Sequence, residues 1–75
     1  MDKLRQDTSI GGNLRALRKA HGYTQERLVA KLQLLGSDTT RPIYSRYETG
    51  ELNIKISDLR HLQVIYQCSY DAFFM

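Results

Sequence analysis

The stretch Thr40-Arg41-Pro42-Ile43-Tyr44-Ser45-Arg46-Tyr47-Glu48-Thr49-Gly50 decides how the rest of the chain is read. It has the make-up of one short helix. Thr40 is an N-cap residue whose hydroxyl can accept from a first-turn amide, and Pro42 stands in the first turn, where a missing N–H loses no helical bond. Gly50 can close the helix in the left-handed conformation. Tyr44 and Tyr47, three residues apart, share one face. Arg41, Pro42, Ser45 and Arg46 gather on the other. Two readings of that polar edge stand at this point: a solvated surface, or a surface that meets a partner.

Working outward, residues 1–9 are polar with a single leucine and read as a partly ordered N-terminal arm, leaving residues 10–75 as the domain proper. Ile10, Leu14 and Leu17 fall at helical spacing, with Ala16 and Ala20 beside them, and predict helix 1 over about residues 10–21. Gly11 and Gly12 are poor helix formers, each costing about 1 kcal/mol relative to alanine, so this turn either frays or packs closely against another backbone. Gly22 ends the helix after His21. Thr24 is a second N-cap, and helix 2 follows from Gln25 with Leu28, Val29, Leu32 and Leu35 as its apolar positions, stopped by Gly36. Ser37-Asp38-Thr39 leads to Thr40 as a connection of turn and cap residues. Beyond Gly50, Leu52, Ile54 and Ile56 alternate in an irregular link, which leaves a β-strand conceivable although nothing obvious pairs with it. Ser57 is placed as the cap of helix 4, with Leu59, Leu62, Ile65 and Tyr66 at helical spacing. Ser69 is placed as the cap of a final short helix carrying Tyr70, Phe73 and Phe74. These parts make one compact all-α domain of five helices.

With 75 residues, such a domain buries little more than roughly 60% of the surface its unfolded chain exposes, so its core is thin. No deep substrate pocket fits beside that core. The net charge is +3 with a pI near 9.2, which suits an anionic partner. Residues 1–24 hold five bases against two acids, while residues 25–75 balance six against six, so the whole excess lies at the N-terminal end. The single cysteine, Cys68, excludes an internal disulfide, and no Cys/His cluster points to a metal. A reducing, cytoplasmic setting is expected, without cofactor, membrane span or signal-peptide core. His21 and His61 fall on separate helices without a matched carboxylate or serine, and Gly11-Gly12 lacks the lysine and hydroxyl of a phosphate loop, so an enzyme is not expected.

Taken in order, the parts resemble the helix-turn-helix family of phage repressor, Cro and xenobiotic-response-element type regulators. The matching segments are Ile10-Gly11, Leu14 to Lys19, Gly22 to Glu26, Leu28, Lys31-Leu32, Tyr44 to Gly50 and Ser69 to Phe74, so the resemblance covers about residues 10–74. It implies a lambda-repressor-like five-helix bundle in which helix 3, about residues 41–49, lies in the major groove of double-stranded DNA. Arg41, Pro42, Ser45 and Arg46 then fall at base-reading positions. A guanidinium can donate two parallel hydrogen bonds to guanine O6 and N7. Pro42 either touches a thymine methyl with Ile43 or simply sets the start of the helix, and Ser45 reaches a base or a phosphate. The resemblance also implies phosphate contacts at Thr24 and Gln25, where the amides of a helix N-terminus are free, and at Thr40 and Lys55. It implies an ion pair between Arg18 and Glu48 that fixes the angle of helix 3; the alternative is two unrelated surface charges. Cys68 stands where the family has a small aliphatic residue, as a buried thiol.

One departure matters most. Gln33 through Thr39 separate helices 2 and 3, an enlargement of about five residues over the tight turn of the motif. Helix 2 is expected to run one turn longer before Gly36. Helix 3 then either keeps its place over the core, held by Tyr44, Tyr47 and Glu48, or is displaced from a groove-binding pose. The implied function is a sequence-specific transcriptional regulator acting as a homodimer; the alternative is a protein-interaction module or antitoxin-like partner that reuses the fold.

Overall fold

The computed structural model describes residues 6–74, with side chains from Ile10 onward. Four α-helices follow one another: α1 Gln6–Ala20, α2 Gln25–Leu34, α3 Arg41–Thr49 and α4 Ile56–Tyr66. The fifth segment, Tyr70–Phe73, is a single 3-10 turn and not the α-helix expected there. Ser69 stands at its N-cap position without a side-chain bond. No strand forms among the described residues. Leu52-Asn53-Ile54 is irregular, with Leu52 exposed and only Ile54 half-buried, so its alternation marks a link that leans one side chain on the core.

Each helix boundary has a local cause. α1 begins at Gln6 and not Ile10, so residues 6–9 of the expected arm are helical, while residues 1–5 lie outside the described residues. Its end is a Schellman closure: Gly22 turns left-handed, its N–H donates to the Lys19 carbonyl at 3.0 Å, and the Tyr23 N–H donates to the Arg18 carbonyl at 3.1 Å. α2 starts on Thr24, whose hydroxyl accepts from the Arg27 N–H at 3.1 Å. Thr40 has cap geometry before α3, but its hydroxyl makes no cap bond, so the expected side-chain cap is absent. Pro42 compensates by pre-setting φ in the first turn. Lys55, not Ser57, occupies the N-cap position of α4, which starts two residues early at Ile56.

The core collects Leu14 from α1, Leu28, Val29 and Leu32 from α2, Tyr44 and Tyr47 from α3, Leu62 and Tyr66 from α4, and Phe73 from the terminal turn. Full burial of each leucine stabilises the fold by about 1.5–3 kcal/mol. α3 packs against α1 and α2, α4 against α2, and the terminal turn against α1, where Asn13 Nδ2 donates to the Phe73 carbonyl at 2.9 Å. Leu35 was expected in this core but is 42% exposed, because α2 has already unwound there, and Leu34 is 87% exposed on the far side of its last turn. The longer helix 2 expected before Gly36 thus extends into solvent.

The two adjacent glycines of α1 differ sharply. A Cβ on Gly11 would lie 2.6 Å from the Glu48 carbonyl oxygen and 3.0 Å from that of Tyr47, whereas a Cβ on Gly12 meets nothing within 4 Å. Gly11 is therefore where the backbone of α1 touches the end of α3. Gly11→Ala is expected to destabilise the domain by about 1–3 kcal/mol through overpacking. Gly12→Ala, in contrast, should raise stability by up to about 1 kcal/mol through helix propensity. Urea unfolding of the two variants checks both.

Candidate nucleic-acid interface

α3 presents two chemically distinct faces. Tyr44 and Tyr47 are buried, with rings edge-to-face at a centroid distance of 6.1 Å. Arg41, Pro42 and Arg46 are exposed and Ser45 is half-buried. Among the described residues neither arginine forms an ion pair, so both guanidinium groups stand in solvent. The helix is short and its apolar anchors are two rings, so burying those rings decides which way the arginines point.

Glu48 joins three helices. Arg18 of α1 donates to its carboxylate from Nε at 2.7 Å and Nη2 at 3.2 Å, and Gln25 of α2 donates from Nε2 at 3.1 Å. Arg18 also donates from Nη1 to the Tyr23 carbonyl at 2.9 Å, which ties in the corner between α1 and α2. The pair is nearly closed to solvent, with side-chain exposures of 11% for Arg18 and 5% for Glu48. Burial by itself raises the Glu48 carboxyl, but the hydrogen bonds and charge of Arg18, with the Tyr44 hydroxyl and the Gln25 amide beside it, outweigh it and hold the group below its ordinary value. The hydrogen bond to Glu48 correspondingly raises the Arg18 guanidinium. Tyr44 is pushed well above the ordinary phenol value, first by burial and then by Glu48 beside it.

The remaining expected site residues fall as follows. Thr24 is exposed with its hydroxyl engaged as a cap. Gln25 is half-buried and turned toward Glu48, yet it lines a shallow cleft with Ser45, Thr49 and Arg15, so the N-terminus of α2 opens on the same side as the polar face of α3. Thr40 is exposed with an unused hydroxyl. Lys55 binds Asp38 of the enlarged turn at 2.8 Å, both ends solvated. Arg15, exposed on the rim of that cleft, was not singled out from the sequence. Its position three residues before Arg18 on one helix face was the available signal.

The enlarged turn is an ordered corner. Gln33 Nε2 donates to the Thr39 carbonyl at 3.0 Å, and the Thr39 N–H donates to Ser37 Oγ at 3.1 Å. Ser37 Oγ donates in turn to Asp58 Oδ1 at 2.6 Å, and the Tyr47 hydroxyl donates to Asp58 Oδ2 at 2.9 Å. Asp58 thus supplies a carboxylate near His61, 3.9 Å away, where none was expected. Ser37 bonds the carboxylate and not the imidazole, which is the wrong order for activating a nucleophile.

The chain matches the helix-turn-helix family over residues 14–73 and belongs to it; the family is that of lambda repressor/Cro-type domains. These are DNA-binding regulatory domains, usually without enzymatic activity. Neither a curated protein nor a solved structure matches the chain. No helix among the described residues is long and apolar enough to cross a membrane.

Removing one partner of the buried pair strands the other charge, so Arg18→Ala should destabilise the fold by about 3 kcal/mol. The pH dependence has a definite sign. Glu48 is depressed below 4.5 in the folded state, so its stabilisation is present above that value and is lost as pH falls through the lower, folded value. Thermal unfolding followed from neutral pH to about pH 3 should show a shallower acid decline in Glu48→Gln than in the parent.

Proposed function

We propose that this domain is a sequence-specific double-stranded DNA-binding transcriptional regulator that inserts α3 into the major groove. The observation that carries this reading is the pair of solvent-exposed guanidinium groups, Arg41 and Arg46, on a helix whose opposite face is locked into the core by Tyr44 and Tyr47. Arg41 and Arg46 read guanine edges, while Pro42 and Ser45 flank them. The free amides at the start of α2, with Gln25 and Arg15 beside them, take a phosphate. Thr40 offers its unused hydroxyl to the backbone, and Lys55 reaches a phosphate only by leaving Asp38.

One domain of this size makes few phosphate contacts, so it acts as a homodimer on two half-sites, which multiplies both affinity and selectivity. Selection of bound sites from random duplex DNA should therefore return a palindrome. Arg41→Ala and Arg46→Ala should each weaken binding to the selected site by roughly 1–3 kcal/mol and relax preference at one position. Gln25→Ala should weaken binding to all sequences evenly. If the arginine variants lose affinity equally on every duplex, they contact phosphate and the base-reading roles are wrong. A parent protein without preference for any duplex, and without loss of binding in added salt, overturns the function itself.

A second reading, a protein-interaction module or antitoxin-like partner, draws on Leu34, Leu35 and Val64, which are exposed and line one groove with Tyr23 and Lys31. Capture of a protein partner by a domain that ignores duplex DNA would favour it.

A further inference from the structure

Asp58 belongs neither to the apolar core nor to the polar face of α3, yet it is only 1% exposed. A carboxylate taken out of water needs compensation. Here it comes from the first turn of α4, where the positive end of the helix favours an anion, and from two hydroxyl groups on separate segments. Ser37 belongs to the enlarged turn and Tyr47 to α3, and each donates to a different oxygen of the same group, at 2.6 and 2.9 Å. Ser37 Oγ simultaneously accepts from the Thr39 N–H at 3.1 Å, which holds the residue directly before the cap of α3.

This geometry leaves α3 little freedom. Hydroxyl-to-oxygen bonds hold only between about 2.5 and 3.0 Å. Sliding α3 by one residue moves it by about 1.5 Å and turns it by about 100°, which takes the Tyr47 hydroxyl out of reach. On the neighbouring position, Glu48 is bound to Arg18 of α1. Consecutive residues of one helix are thus tied to α4 and to α1. In an ordinary tight turn, chain length alone limits where the second helix can go; the six-residue connection between α2 and α3, residues 35–40, does not.

We infer that Asp58 is a positioning residue that sets the depth and rotation of α3 by binding both Ser37 of the enlarged turn and Tyr47 of α3. It touches no DNA. Its effect on base selection rests on the DNA-binding reading above, and its effect on α3 does not. Arg41 and Arg46 reach productive hydrogen bonds only if the helix beneath them is held to within tenths of an ångström.

The test uses the full chain and four variants: Ser37→Ala, Ser37→Thr, Tyr47→Phe and Asp58→Asn, all studied at a temperature where circular dichroism shows them folded. Should Asp58→Asn not fold, Ser37→Ala and Tyr47→Phe carry the test. Amide hydrogen exchange is the first readout and needs no DNA. Ser37→Ala and Tyr47→Phe should each speed exchange at Thr39 and within α3 by roughly tenfold, the scale of one hydrogen bond to a charged group, relative to Leu14 in α1. Ser37→Thr, which keeps the hydroxyl, should restore slow exchange. Unchanged exchange at Thr39 and α3, or an equal rise at Leu14, overturns the positioning role whatever the domain binds. The second readout is the ratio of affinities for the selected site and for random duplex. It should fall roughly tenfold in Ser37→Ala and Tyr47→Phe and recover in Ser37→Thr. Faster exchange with an unaltered ratio overturns the effect on base selection. A parent that discriminates between no duplexes defeats the DNA-binding reading instead, and exchange then decides the positioning role alone.

Discussion

The domain depends on a single buried charge pair, Arg18 with Glu48. Their contact joins the last turn of α1 to the end of α3, and the spare capacity of each group recruits a neighbour: Glu48 takes a third donor from Gln25, and Arg18 reaches the Tyr23 carbonyl. Three helices therefore meet at one carboxylate, and one corner is tied to the guanidinium it binds. Such pairs add little net stability, since desolvation offsets most of the Coulomb attraction, but their geometry is exacting. The pair acts on direction. It fixes α3 at the same point where Gly11 lets the backbone of α1 touch the carbonyls of Tyr47 and Glu48. A larger residue there would push apart the two helices whose contact the pair defines.

Around that point the electrostatics divide into buried and exposed parts. Arg18 is consumed internally, so among the described residues of α1 the bases that reach solvent are Arg15 and Lys19. Arg41 and Arg46 add to it from α3. Lys55 and Asp38 cancel at the far side of the turn, in a solvated pair of small energetic weight. The modest total charge thus understates the contrast between the exposed Arg15, Arg41 and Arg46 and the neutralised pair of Lys55 and Asp38.

The order of helices was legible from capping and periodicity, because those signals are local. Thr24, Gly22, Gly36 and Gly50 mark ends that the structure has at or next to the expected positions. The misses are equally physical. Ser57 looked like a cap, but Lys55 fills the position because the link from Gly50 delivers an extended residue there, and backbone geometry outranks side-chain preference. Leu35 looked like core, but its helix had already ended. The last segment contracts to a 3-10 turn because its work is to seat Phe73, which one turn suffices to do.

The sequence by itself determined that a succession of amphipathic helices would form, although it counted five where the structure has four and a 3-10 turn, and that Tyr44 and Tyr47 would turn Arg41 and Arg46 outward. Both follow from residue spacing along one chain. It did not reveal that Asp58 would be buried, or that Ser37 and Tyr47 would converge on it from opposite ends of α3's approach. A carboxylate in the first turn of a helix is normally a solvated N-terminal charge, and no local pattern separates it from one enclosed by a remote turn. That enclosure required the enlarged turn to fold back onto α4, a contact between residues 21 positions apart. Only tertiary packing decides such a contact, because it alone brings the donors to the acceptor.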